Sequence, residues 1–195
     1  VVGVGRKLVA HLGDDVYKMD NLNGTFTSIR TSAPIYRSYN AVVKQNLIQT
    51  YDNYGAEYYW DGTAATMSIL SASAPGFKHA VETQGYILGG NISSAKLRIY
   101  YEDINTMIGG TFADYFTLTG GRDDEVTGFF VLNGRTYAGT RTAVFRISFI
   151  GGSAVFDYKQ VIDVGVIPGT LKTVVTEQFG QVAMFLGTDM IVYVF

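Results

Sequence analysis

Carboxyl groups are the main chemical resource of this chain, which has 17 Asp and Glu, two His and no Cys. Two carboxyls flanking a sugar can cleave a glycosidic bond, one as acid and the other as base or nucleophile. Glu82 and Glu177 are the candidates, each two or three residues before a recurring glycine, Gly85 and Gly180. That regular placement also marks them as repeat features, and no enzyme is predicted. The run Arg122-Asp123-Asp124-Glu125 gathers three carboxylates beside Gly120-Gly121, and Ca²⁺ favours oxygen ligands. The alternating ligands of an EF-hand loop are missing, so the run reads as a solvated turn. No metal and no cofactor is expected. Asp14-Asp15 reads as a plain hairpin turn.

Other routes to chemistry fall away. Gly3-Val4-Gly5 is half of a dinucleotide fingerprint, without its third glycine or a following helix. No serine sits in a Gly-x-Ser-x-Gly elbow. His11 and His79 read as single polar residues in or beside strands. Two histidines without cysteine exclude a multi-histidine or thiolate metal site. A net charge of −2 gives no overall attraction to nucleic acid. No run of about 18 apolar residues is present, so no membrane-spanning helix is expected. With no initiator Met and no signal-peptide pattern, the chain reads as a fragment, a processed product or part of something longer.

The aromatic residues remain: 14 Tyr, 12 Phe and one Trp. Tyr58, Tyr59 and Trp60 are candidate aromatic contact or glycan-stacking residues. Tyr17, Tyr59, Tyr100 and Phe145 recur at the step of the repeat set out below, which favours packing between repeated units.

The elements that position these residues follow from composition. Charged residues are only 16% of the chain and Gly is 23 of 195, where ordinary usage is roughly 25% and roughly 7%. Gly supplies the positive φ of tight turns, and aromatics suit a pleated surface. Many short strands are predicted. Gly5, Asn46, Gly85, Gly134 and Gly180 mark a repeat with steps of 41, 39, 49 and 46 residues, in the band of four-stranded blade repeats. A second anchor keeps the same step: Val16 to Asp20, Tyr58 to Asp61, Leu97 to Glu102, Val144 to Ser148 and Ile191 to Phe195. The units fall near 5–45, 46–84, 85–133, 134–179 and an incomplete 180–195. Asn23-Gly24, Asp61-Gly62 and Asn133-Gly134 read as type I′ hairpin dipeptides. Gly-Gly pairs at 89–90, 109–110, 120–121 and 151–152 read as breaks. The stretch from Asp103 to Asp114 has room for a helical turn. Gly89-Gly90 and Ala138-Gly139 fit innermost strands crowding a central channel. The fold expected is all-β: a single β-propeller over 1–195 with four-stranded antiparallel blades, five in number, or a portion of a longer propeller.

Several runs sharpen this. Tyr58-Tyr59-Trp60-Asp61-Gly62, Leu97 to Asp103, Asp124 to Gly128 leading into Asn133 to Tyr137, Gly165 to Gly169, and Val182 to Tyr193 resemble the β-propeller domain of tailed-bacteriophage virion proteins. That family includes tail nozzle, stopper and head–tail proteins. The resemblance runs from about residue 5 to 195, with Asn46 standing where the other units carry Gly. It implies a structural virion component in the tail or head–tail connector, touching copies of itself and other virion proteins in a ring. It carries over no catalytic residue. The alternatives are a carbohydrate-binding propeller that recognises a host glycan and, further off, a glycoside hydrolase. Ring closure is expected from Val1–Val4 pairing beside 190–195, since an open apolar edge strand invites aggregation.

Overall fold

The computed structural model describes residues 7–20 and 24–195. Short hydrophobic runs punctuated by glycine and asparagine give eighteen strands among these residues: β1 (Leu8–Leu12), β2 (Asp15–Met19), β3 (Thr27–Arg30), β4 (Ser38–Val43), β5 (Asn46–Tyr51), β6 (Tyr58–Trp60), β7 (Ser68–Ile69), β8 (His79–Thr83), β9 (Tyr86–Ile92), β10 (Ala95–Asp103), β11 (Asp114–Thr117), β12 (Val126–Leu132), β13 (Arg135–Thr140), β14 (Val144–Phe149), β15 (Phe156–Ile162), β16 (Lys172–Thr176), β17 (Gly180–Leu186) and β18 (Val192–Val194). They form five antiparallel meanders in chain order: β1–β3, β4–β7, β8–β11, β12–β15 and β16–β18. The all-β propeller is therefore the fold, with four strands in each of the middle three sheets. No helix among the described residues is long and apolar enough to cross a membrane.

Turn chemistry sets the meander. Lys44-Gln45, Gln84-Gly85 and Asn133-Gly134 each place two consecutive residues at positive φ, the signature of a type I′ turn whose twist matches the flanking strands. These hairpins join the first and second strands of their sheets. Three of the sequence anchors, Asn46, Gly85 and Gly134, sit on or beside them. The predicted repeat units therefore run from the second strand of one sheet to the first strand of the next.

The first strands are innermost. β4 packs beside β8, β8 beside β12, and β12 beside β16. Each ends its sheet, so one edge of each carries no ladder partner among the described residues. The core lies between sheets, in four seams. Val16, Ile29 and Ala33 meet Leu47, Trp60 and Met67 between the first and second sheets. Val43, Ile48 and Leu70 meet Phe77, Ile87, Met107 and Phe112 between the second and third. Leu88, Ile99 and Leu118 meet Val126, Ala138, Phe145 and Phe156 between the third and fourth. Phe130, Tyr137 and Val144 meet Ala183 and Phe185 between the fourth and fifth.

Five expectations need correction or relocation. The segment 103–114 holds turns and no helix: Asp103 Oδ1 accepts from the Asn105 backbone N–H at 2.7 Å, which closes a local turn instead. Gly89-Gly90 is no break, because both residues lie inside β9. Nor do Gly89-Gly90 and Ala138-Gly139 belong to innermost strands; β9 and β13 are second strands. Their smallness answers the neighbouring sheet or linker: a Cβ on Gly90 would lie 2.8 Å from the Phe129 ring, and one on Gly139 would lie 2.9 Å from Val166. Asp61-Gly62 is not a two-residue hairpin. Asp61 Oδ1 accepts from the backbone N–H groups of Thr63 and Ala64, both at 2.7 Å, and organises the loop 61–67. Asn23, Gly3-Val4-Gly5 and the predicted closing strand Val1–Val4 lie outside the described residues.

Candidate functional site

Tyr39, His79, Gly128 and Lys172 occupy one ladder position, one on each of the four inner strands β4, β8, β12 and β16. Their partners are Thr50, Gly90, Gly139 and Met184. Equivalent positions on adjacent inner strands converge on the axis, so these residues ring a hub. The hub holds a cavity of about 360 Å³, also lined by Arg37, Asn40, Phe129 and Gly169. Two hub side chains meet face to edge: the Tyr39 and His79 rings are 4.5 Å apart. Burial, helped by the nearby Lys78 cation, pushes the His79 imidazole down to about 4. His79 is therefore neutral in the folded protein above that pH. Tyr39 hydroxyl donates to Asp52 at 3.1 Å, and Lys78 pairs with the same carboxylate at 3.0 Å. Burial works against the charge on Asp52, but Lys78 and Tyr39 outweigh it and hold the carboxyl below its usual range.

The acidic run departs from its sequence reading. Asp124 and Glu125 are buried, at 4% and 7% exposure, rather than forming a solvated turn. The reason is a set of matched donors. Asp124 Oδ1 accepts from the Arg141 backbone N–H at 2.8 Å, and the Thr142 hydroxyl donates to Oδ2. The Arg141 guanidinium grips Glu125 Oε1 with two N–H groups. Asn91 donates to Glu125 at 3.2 Å and to the Val126 carbonyl at 2.7 Å, while Tyr54 donates to Asn91 at 3.2 Å. Asn91 thus ties the second, third and fourth sheets together from a φ of 62°, a conformation that asparagine tolerates better than most residues. Burial alone would raise the Glu125 carboxyl; Arg141 and Asn91 more than offset it and leave it lowered. Among the described residues no group of three or more His, Cys, Asp or Glu is arranged to hold a metal ion.

A third buried carboxyl, Glu57, escaped sequence reasoning. It is fully buried, and its Oε1 accepts from the Phe77 backbone N–H at 2.7 Å while Oε2 has no partner. Desolvation pushes it up to about 7, against that backbone hydrogen bond. A lone Glu beside aromatic residues gives no periodic signal in sequence, so its burial was not legible.

The sequence-predicted residues do not converge. Glu82 lies on β8 and accepts from the Lys44 backbone N–H at 2.6 Å, whereas Glu177 lies exposed in the β16–β17 turn. Trp60 is 1% exposed, sits in the first seam, and donates its indole N–H to the Ala64 carbonyl at 2.7 Å. Lys7 and Lys18 cover its ring at 5.3 and 5.5 Å. Tyr58 is half-buried beneath the Arg30 guanidinium. Tyr59 alternates to the other face of β6 and packs on the second seam. Of the recurring aromatics, Tyr59 and Tyr100 pack on the second seam and Phe145 lies in the third. Tyr17 instead bonds Asp15 and meets Phe26 within its own sheet. His11 lies on β1 with Nδ1 3.3 Å from the Ser38 hydroxyl. Asp14 does sit in the β1–β2 hairpin, led by Gly13 at φ 64°.

No protein-family model matches the sequence, and no curated protein matches it. Solved structures match the fold. Apo AztD from Citrobacter koseri is 10% identical with a TM-score of 0.58, covering 93% of this chain and 53% of that one. YCF48 bound to D1 peptide is 10% identical with a TM-score of 0.58, covering 96% and 64%. A structural genomics protein of unknown function from Bacteroides thetaiotaomicron is 10% identical with a TM-score of 0.52, covering 96% and 54%. The chain spans between half and two thirds of the length of each. Likeness at this identity establishes the propeller architecture alone.

Proposed function

We propose that this propeller is a non-catalytic structural component of a bacteriophage virion, in the tail or head–tail region, that works through protein–protein contacts in a ring assembly. One observation supports the assembly part: among the described residues, apolar side chains at both ends of the row of sheets stay exposed. In the second, third and fourth sheets, the row of Ile48 and Thr50, Leu88 and Gly90, or Tyr137 and Gly139 packs against the sheet that follows. The equivalent row of the fifth sheet is Val182 and Met184, of which Val182 is buried and Met184 is exposed. Met184 opposes Val194, and there Val192 and Val194 are each 62% exposed. On the first sheet, Val9 and Val16 face the second sheet, and the opposite face leaves Leu8, Leu12 and Phe26 exposed. Contiguous apolar area of this kind marks a contact surface, and the two faces are of the kinds that meet at every internal seam. A head-to-tail contact between copies joins unlike faces and builds a ring if the rotation closes.

The phage part is supported by the resemblance of the runs around Tyr58–Gly62, Leu97–Asp103 and Val182–Tyr193. The glycan-binding alternative gains nothing from Trp60, whose indole is buried. Light scattering on the purified chain at rising concentration tests the assembly: a discrete oligomer lost in Val192→Lys is expected, and a monomer at every concentration overturns it. Locating the chain in intact particles by cryo-EM tests the virion assignment. Glycoside turnover lost on Glu82→Gln would refute the non-catalytic reading.

A further inference from the structure

We propose that the hub cavity binds a small oxyanion, a carboxylate or phosphate ester of metabolite size. The site lies at the inner strands and borders the fifth-sheet end face, since Lys172 is the ladder partner of Met184; its argument makes no use of the assembly reading.

Three features converge on it. First, the lining contains two cations, Arg37 on the approach to β4 and Lys172 at the start of β16, and no carboxylate. They come from the second and fifth sheets, so they approach a ligand from two sides. Arg37 packs against Gly169, where any side chain would collide with its guanidinium. Second, the acids at the same end of the sheets are already engaged. Asp52 is held by Lys78 and Tyr39, Glu125 by Arg141 and Lys96, and Asp124 by Arg141 and Thr142. Among the described residues, neither Arg37 nor Lys172 forms an ion pair with them. Third, four inner strands turn unpaired edges toward the axis. Free backbone N–H groups along such edges donate to oxyanions as readily as to a further strand.

Size and polarity set the ligand class. A volume of about 360 Å³ displaces about a dozen waters at roughly 30 Å³ each, which suits a metabolite rather than a folded partner. Asn40 and Ser38 add neutral hydrogen-bonding groups to the lining, while Phe129 and Leu171 supply apolar wall. Neutral His79 adds no charge at physiological pH, so the positive potential comes from groups that stay charged. A planar guanidinium matches carboxylate and phosphate geometry with paired hydrogen bonds, whereas Lys172 acts as a point charge.

The test is thermal unfolding of the full chain in citrate and, separately, in glucose 6-phosphate, at ionic strength held constant with sodium chloride. A ligand that binds only the folded state raises Tm by mass action. At saturating probe, a rise of about 3–5 °C over the chloride control is expected for at least one probe, and the responding probe distinguishes carboxylate from phosphate. Lys172→Gln and Arg37→Gln each weaken the apparent affinity by at least about tenfold, the usual loss for a charge-assisted hydrogen bond. Lys159→Gln, on the outer strand β15, retains the full response. Lys172 is exposed, so its variant folds even if Arg37→Gln does not. No shift above chloride with either probe overturns the proposal, as does a shift of equal size in Lys172→Gln. Oligomeric state is read separately, so a negative result here leaves the assembly reading standing.

Discussion

The third seam and the outer face of the fifth sheet use equivalent ladder positions, and the second of each pair, Gly90 and Met184, ends in opposite states. At the third seam, Leu88 and Gly90 of β9 receive the fourth sheet, and Gly90 is bare because the Phe129 ring occupies the space of its side chain. On the fifth sheet the same positions carry Val182 and Met184, and no described sheet lies over Met184, Val192 or Val194. A glycine at a covered position records a neighbour already in place; a methionine at the uncovered one leaves an adaptable apolar surface. Position along the repeat therefore does not decide what a residue is worth. The presence of the next sheet does.

Substitutions test that contrast, beginning with the covered seam. Phe145 is 1% exposed within the third seam, and Phe145→Ala is expected to cost about 4 kcal/mol from lost burial plus the cavity left behind. Denaturant unfolding measures it, and a loss under about 1 kcal/mol would show that the seam collapses around the gap.

Two buried titratable groups with large shifts come next. Glu57 is raised to about 7 and His79 lowered to about 4. Folding therefore favours protonated Glu57, whose contribution is complete below about 4.5 and is lost as pH rises through about 7. Folding favours neutral His79, whose contribution is complete above 6.5 and is lost as pH falls through about 4. The slopes oppose each other between those limits. Glu57→Gln removes one and is expected to gain roughly 3 kcal/mol at pH 8, leaving stability that falls only on acidification. His79→Gln leaves the opposite slope. Identical pH profiles for the two variants would contradict the assignment.

The equivalent pair gives the sharpest single comparison. Gly90→Ala drives a Cβ to 2.8 Å from the Phe129 ring and is expected to destabilise by about 2 kcal/mol. Met184→Ala, at the matching position of the fifth sheet, should change monomer stability by less than about 0.5 kcal/mol. Equal costs would mean that the fifth sheet is covered in solution. Smallest for the fold is Val192→Lys, expected to leave the monomer within about 0.5 kcal/mol while abolishing association in light scattering.

Much of the architecture was legible because propeller sheets are local. Each sheet is a meander whose turns announce themselves, as Asn133-Gly134 does, and whose third strand repeats an aromatic pattern from Tyr58 to Tyr193. What stayed hidden is what long-range packing decides. Lys44-Gln45 forms the same turn as Asn133-Gly134 with residues that carry no turn signature, because the paired strands impose it. Asp124 and Glu125 look solvated in sequence, since Arg141 and Asn91, the partners that allow their burial, lie 16 to 34 residues away. The hub was equally invisible: Arg37 and Lys172 line one cavity only because four strands converge. Trp60, the lone tryptophan, reads in sequence as a contact residue, yet the packing of two sheets makes it core.

The order of the seams has a consequence for how the molecule comes apart. Each described seam joins sequence neighbours only, and the first sheet's hydrogen bonds to other sheets all run to the second. Such an array behaves as a chain of coupled units, each stabilised by those on either side. The third sheet, flanked twice and tied at Asn91, belongs to the slowest-exchanging set of amides. The first and fifth, each leaning on one described neighbour, open at lower free energy. Deuterium uptake should therefore fall toward β9 from both ends of the row, and a partner seated on either end face should slow exchange there first.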